Sequence, residues 1–344
     1  MNSLKRRLAA MVLSLLAAPG IADVGYTSGT LTVTHRDGPL TTHLWYPAEA
    51  GGRTEMLGKN AVFKGAPVMR NAPAAAGTYP LVVMSHGSGG NAPNLSWIAS
   101  ALAERGMVVI AANHPGTTSG DSQPVETVKL WERPADLSAL IDAALTGPIE
   151  GIKIDAEAIS ALGFSLGGYS VLSLSGAAAD PAAYADYCAR VGNRYDCAWL
   201  AAGGVDPGAL GADPRYAQPN TDARVRVTVA VDPALSAAYQ SRSLASIEAQ
   251  VRLINLGAQS DVSPGVNAAP LAPLIPDASL QNVAEAGHFS FLGLCTFQGA
   301  MIIRLAGEDP ICSEPGSRPR AEIHRALARD ISGFFASAFT RAGG

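Results

Sequence analysis

The stretch A-L-G-F-S-L-G-G-Y, residues 161–169, sets one serine, Ser165, between Gly163 and Gly167. The apolar run A-I-S-A-L-G-F ends just before it, and a second apolar run, S-V-L-S-L, follows. G-x-S-x-G between a buried strand and a helix is the nucleophile-elbow pattern. The turn holds its serine in a strained backbone conformation, and the two glycines remove side chains that would collide across it. Strain of this kind lifts the hydroxyl above the strand ends. It also aims the backbone N–H of Leu166 at a developing oxyanion, with the helix N-terminus adding a favourable partial charge.

The same rhythm extends in both directions. Y-P-L-V-V-M-S-H and M-V-V-I-A-A-N are continuous buried-strand runs, separated by the helical W-I-A-S-A-L-A-E-R-G. R-P-A-D-L-S-A-L-I-D-A-A-L reads as a helix before the elbow strand. R-V-R-V-T-V-A-V-D-P, V-R-L-I-N-L-G and S-L-Q-N-V continue the strands after it. Strands alternating with helices imply right-handed crossovers and a parallel sheet covered on both faces. The final helix carries Ile323, Leu327, Ile331 and Phe334 as a core-facing stripe. T-L-T-V-T-H and P-L-T-T-H-L-W-Y-P around R-D-G-P read as an antiparallel pair. Residues 48–78 read as a loop, and 177–223 as a lid-like insertion after the elbow helix, folded over the strand ends.

A chain of 344 residues with 48% hydrophobic and 16% charged residues suits a buried sheet, and a net charge of -4 gives no case for nucleic acid. Lys5, Arg6 and Arg7 precede an apolar segment too short to span a bilayer, and Gly20 and Ala22 are small residues before Asp23. This describes a secretory signal over residues 1–22, cleaved after Ala22, and a soluble domain over 23–344 with no transmembrane anchor. In a periplasmic or secreted protein four cysteines favour disulfides, and proximity pairs Cys188 with Cys197 and Cys295 with Cys312. No C-x-x-C pair or histidine spacing points to a metal.

A serine hydroxyl needs a base. Of six histidines, His35 and His43 fall on the N-terminal strand pair, His86 and His114 end earlier strands, and His324 lies on the last helix. His288, in E-A-G-H-F-S-F after the last strand, is placed to swing over Ser165. The loop H-G-S-G-G offers the N–H of Ser88 as a second oxyanion donor beside Leu166, with His86 bracing the loop. Two aspartates end strands between serine and histidine. Asp261, in G-A-Q-S-D-V-S-P, is the expected acid because it lies one strand before the histidine loop in a turn braced by Pro264. Asp232, in V-A-V-D-P, is the alternative.

H-G-S-G-G, N-H-P-G-T, R-P-A-D, G-F-S-L-G-G, the G-A-Q-S-D-V-S-P turn and G-H-F-S-F together resemble the secreted α/β-hydrolases of the dienelactone-hydrolase type, related to platelet-activating-factor acetylhydrolases, over roughly Tyr79 to the C-terminus. The resemblance implies an eight-stranded α/β-hydrolase fold and carboxylic ester hydrolysis. Ser165 would be nucleophile, His288 base, and Ser88 and Leu166 the oxyanion pair. Dienelactone hydrolases carry cysteine at the elbow where this chain has serine, and the acetylhydrolases carry their acid on the earlier strand, which would be Asp232. The expected protein is a secreted serine esterase working through an acyl-enzyme on a small-molecule or lipid-like ester, with no cofactor. A lipase or polyester hydrolase would use the same residues. A non-catalytic binding protein would keep the fold alone.

Overall fold

The computed structural model describes residues 23–147, 150–307 and 309–342. The expected signal, residues 1–22, lies outside them. The hairpin β1 (Asp23–Leu31) and β2 (Leu40–Ala48) opens the chain, and a second hairpin, β3 (Arg53–Leu57) and β4 (Ala66–Arg70), follows. Next come β5 (Gly77–Ser85), α1 (Ser96–Ala103), β6 (Val108–Asn113), the small hairpin β7 (Thr117–Thr118) and β8 (Asp121–Ser122), α2 (Pro124–Thr127) and α3 (Glu132–Leu145). The elbow joins β9 (Ile152–Phe164) to α4 (Leu166–Leu174). Residues 177–223 carry α5 (Pro181–Val191) and α6 (Tyr195–Ala202). The chain ends with β10 (Val225–Val231), α7 (Ser241–Ala245), β11 (Gln250–Leu256), β12 (Ala278–Val283), α8 (Gly299–Ala306) and α9 (Arg320–Ala342).

One ten-stranded sheet runs in the order β12-β11-β10-β9-β5-β6-β2-β1-β4-β3. The six strands from β12 to β6 are mutually parallel, and β2 and β1 close that edge antiparallel. These make the eight strands expected. The other two correct the reading of residues 48–78 as a loop: β4 pairs parallel with β1, and β3 antiparallel with β4. Pro67 and the neighbouring glycines hide this hairpin from a periodicity argument, and Pro is tolerated there because the pair is at the sheet edge.

Alternate residues of the central strands feed opposite layers. Leu81 and Val83 of β5, Ile110 of β6 and Ile159 of β9 pack with Leu137, Leu140 and Ile141 of α3 and with Val171 and Leu172 of α4. Val82 and Met84, Val109 and Leu162 face the other way, onto Ile98 and Leu102 of α1 and the stripe Ile323, Leu327, Ile331 and Phe334 of α9. Burial on both faces makes these strands continuous apolar runs. β1 ends earlier than its T-V-T-H run implies, so His35 and Arg36 leave the strand and reach Asp136 of α3.

Both proximity pairs are bonded. Cys188–Cys197 ties α5 to α6, and Cys295–Cys312 closes the segment that carries α8. Among the described residues no helix is long and apolar enough to cross a membrane. Closing loops of these lengths stabilises by roughly 2–3 kcal/mol each on the unfolded-chain entropy model. Urea melts of the Cys295→Ser/Cys312→Ser double variant should therefore lose about that much stability. Intact-mass analysis of the native protein after alkylation without reductant should show no added mass.

Candidate active site

Steric exclusion builds the elbow. Ser165 has φ 55° and ψ -118°, a region that costs an L-residue on the order of 1–3 kcal/mol and persists only where its surroundings impose it. They do so here by close approach. A Cβ on Gly163 would lie 2.0 Å from the carbonyl oxygen of Gly167, and one on Gly167 would lie 2.0 Å from that of Ser85. Backbone bonds from Ser165 N to Val231 O (2.9 Å) and from Ala234 N to Ser165 O (2.9 Å) pin the serine to β10. Leu166 then opens α4, so its N–H sits at the positive end of the helix.

Asp232 follows β10 directly and is 1% exposed, with its backbone N–H on Ile254 O. Its Oδ1 accepts the Leu256 N–H at 2.7 Å, and its Oδ2 accepts Nδ1–H of His288 at 2.8 Å. Burial pushes the Asp232 carboxyl up, against the opposing pull of the His288 and Leu256 bonds. With Nδ1–H given to the aspartate, Nε2 of His288 is left as the acceptor. The expectation that Asp261 meets His288 is corrected here. Asp261 stands on an exposed turn and takes its hydrogen bond from the neighbouring Ser260 at 2.9 Å, because the chain leaves β11 at Gly257 and turns outward before reaching it.

The imidazole of His288 packs on Phe164, with ring centroids 4.8 Å apart, so it sits beside the residue next to Ser165. Its side chain keeps 29% exposure. No hydrogen bond joins Ser165 Oγ to the imidazole in this state. Catalytic hydrogen bonds in unliganded sites are often long and tighten with substrate. Below His288, Trp97 of α1 donates to Phe291 O at 2.9 Å, and His324 of α9 donates to Ser290 O at 2.9 Å while stacking on Trp97. Ser290 also bonds Glu314, which pairs with Arg320. Two helices thus fix the loop that carries His288.

On the other side of the serine, Gly87 packs its α-carbon against Ser165: a Cβ there would lie 3.2 Å from that of the serine. Ser88 is exposed at the tip, and Thr117 O, Gly90 O and Ser119 Oγ tie its loop to the β7–β8 hairpin. Among the described residues no protein acceptor takes the N–H of Ser88 or of Leu166. One group of residues escaped sequence reasoning. Arg133 and Asp136 of the R-P-A-D stretch reach beneath this loop, where Asp136 accepts from His114 Nδ1, His35 Nε2 and the Arg36 guanidinium. Burial raises the Asp136 carboxyl, but those donors outweigh it and hold it below the usual range. Its signal was the pairing of R-P-A-D with N-H-P-G, which carried no chemistry until the fold brought them together. Among the described residues no cluster of His, Cys, Asp and Glu could hold a metal ion.

The parallel sheet, the helices on both faces and the strained serine between β9 and α4 define an α/β-hydrolase fold. Within that class, the family profile of platelet-activating factor acetylhydrolase, isoform II, matches residues 51–126, from β3 to α2. The match takes in H-G-S-G-G and N-H-P-G-T and stops before Ser165. A ferulic acid esterase from Streptomyces cinnamoneus is similar in structure, with a TM-score of 0.58 at 19% sequence identity over 93% of this chain and 91% of the other. No curated protein sequence matches the chain.

Burial lowers His43, His114 and His324 to about 4 and holds His86 well below its ordinary value, with nearby arginines adding to the effect. The four are neutral in the fold, whereas an unfolded histidine titrates near 6.5. Between about pH 6.5 and 4 the unfolded chain binds protons that the folded chain does not. Each such histidine then removes up to about 1.4 kcal/mol of stability per pH unit of acidification. Urea midpoints should be flat above pH 7.5 and fall steeply from 6.5 to 4.5. A midpoint unchanged across that window would show that these histidines are protonated in the fold.

Proposed function

We propose that the protein is a secreted serine carboxylic ester hydrolase in which Ser165 is the nucleophile, His288 the base and Asp232 the acid. The observation that carries this reading is the 2.8 Å bond from His288 to buried Asp232 beside a serine held at positive φ. Ser165 Oγ attacks the ester carbonyl while its proton passes to Nε2 of His288. Asp232 holds the imidazole in the tautomer that can accept it and stabilises the imidazolium that forms. The N–H groups of Ser88 and Leu166 take the charge on the carbonyl oxygen. His288 then returns the proton to the leaving alcohol, and a water that it activates releases the acid from Ser165. The steps balance without metal or organic cofactor.

The similar ferulic acid esterase and the acetylhydrolase match both support an ester substrate of small-molecule or lipid-like size. Export rests on the signal read at residues 1–22 and agrees with two disulfides, which belong to oxidising compartments. Residues 177–223, stapled by Cys188–Cys197 and touching the loop after β6 through α6, are the lid of the site.

A fluorophosphonate probe should label wild type at Ser165 only. Ser165→Ala should lose labelling and on the order of a million-fold in turnover of p-nitrophenyl esters. Asp232→Asn should lose around ten-thousand-fold by favouring the wrong imidazole tautomer, and Asp261→Asn little. An Asp261→Asn enzyme more damaged than a folded Asp232→Asn enzyme would reverse the choice of acid.

A further inference from the structure

The loop carrying Ser88 rests on buried polar groups that the acyl-transfer steps do not touch. His86 is 2% exposed and Arg133 4%. Nε2 of His86 accepts the backbone N–H of His114 at 3.2 Å, which fixes the tautomer: the proton is on Nδ1. That Nδ1–H donates to Gly87 O at 2.7 Å, and Gly90 N–H donates to the same oxygen at 3.1 Å. Arg133 Nη2 donates to His86 O and lies 3.4 Å from His86 Nδ1. Among the described residues Arg133 has no carboxylate partner, and its Nε and Nη1 have no hydrogen-bond partner at all. Buried cations are ordinarily paired, so an unpaired one calls for an explanation.

Peptide geometry supplies one. Gly87 C=O and Ser88 N–H belong to a single planar peptide, and no described peptide is cis, so the two groups point in opposite directions. Two donors clamped on the oxygen therefore decide where the N–H points, and they polarise it as a donor. Arg133 does the same to the preceding peptide through His86 O. We infer that His86 and Arg133 are positioning residues of the oxyanion hole, clamping the peptides on either side of Gly87 so that Ser88 N–H faces the substrate oxygen above Ser165. The inference rests on the ester-hydrolase reading. Arg133 also disfavours a protonated His86. A histidinium would set a second cation 3.4 Å from the guanidinium and lose the acceptor for His114 N–H. Asp136 supports the arrangement from below: it takes His114 Nδ1–H at 2.8 Å, leaving His114 Nε2 to accept from Ser85 Oγ at 3.0 Å at the end of β5.

An isostere pair tests the clamp. His86→Asn puts an amide N–H where Nδ1 sits and keeps the donor to Gly87 O. His86→Gln reaches the Nε2 position and loses that donor. With p-nitrophenyl acetate as substrate, His86→Gln and Arg133→Met should lower kcat about 30- to 100-fold with KM within threefold, a misaimed oxyanion donor being worth on that order. Both should weaken an alkylboronic-acid transition-state analogue by the same factor as kcat. His86→Asn should stay within about fivefold of wild type in both measures. Thermal melting accompanies each variant, and the His86 pair decides the matter even if Arg133→Met does not fold. Equal damage in His86→Asn and His86→Gln, or losses in kcat with boronate affinity unchanged, would reduce the cluster to a structural role. Failure of wild type to label at Ser165 would instead overturn the hydrolase reading and the clamp with it.

Discussion

At the elbow, two glycines bring three pieces of backbone closer than any side chain permits. Gly163 lets the end of β9 touch Gly167 O, and Gly167 lets α4 touch Ser85 O, so β9, α4 and the end of β5 interlock through their main chains. Gly168 extends the contact to Pro233 of the turn after β10, where a Cβ would lie 2.8 Å from the proline Cα. Everything chemical in the protein hangs from this knot. It forces Ser165 to positive φ, sets Asp232 on the neighbouring strand end, and brings the H-G-S-G-G loop against the serine. Because the interlock is steric, it cannot relax gradually, and interiors packed this tightly transmit small displacements.

The histidine loop is made differently. It hangs on side chains rather than on backbone contact: Trp97, His324, Glu314 and Arg320 each bond it from α1, α9 or the segment between them. Ser165 and the open N–H groups of Ser88 and Leu166 therefore sit on the sheet end, while His288 sits on a separately braced arm reached through Asp232. That division suits an acyl transfer. In the proposed reaction the oxyanion donors must be fixed beforehand, whereas the base has to serve two successive proton transfers, before and after the acyl-enzyme.

The sheet was legible wherever burial on both faces produced largely apolar runs, as in β5, β6 and β9 to β11. The elbow was legible because its two glycines mark a local steric need. The hairpin of β3 and β4 was not, since an edge pair carrying Pro67 and little apolar alternation looks like a loop. The partner of His288 could not be read either. Asp232 and Asp261 both follow strands before the histidine, and what separates them is burial: 1% exposure for Asp232, an open turn for Asp261. That difference arises from where the chain turns after each strand, which residue identity does not encode. The cluster beneath Ser88 was further out of reach, because its members come from four separated stretches that meet only once the sheet forms.

A second set of serine, histidine and aspartate lies among the described residues, and this one is hydrogen-bonded throughout. Ser85, His114 and Asp136 are joined by hydrogen bonds of 3.0 and 2.8 Å, as good a geometry as that between His288 and Asp232. All three are 0% exposed, Ser85 lies within a regular strand, and Asp136 is saturated by Arg36, His35 and His114. No substrate atom can approach its hydroxyl, and no N–H group stands open beside it to take a developing charge. At Ser165 the same residue types meet a strained turn, a partly exposed imidazole and two N–H groups with no protein acceptor among the described residues. On the proposed reading, reactivity follows from backbone conformation and access to solvent, while the buried set uses the same residue types to hold the floor beneath the Ser88 loop.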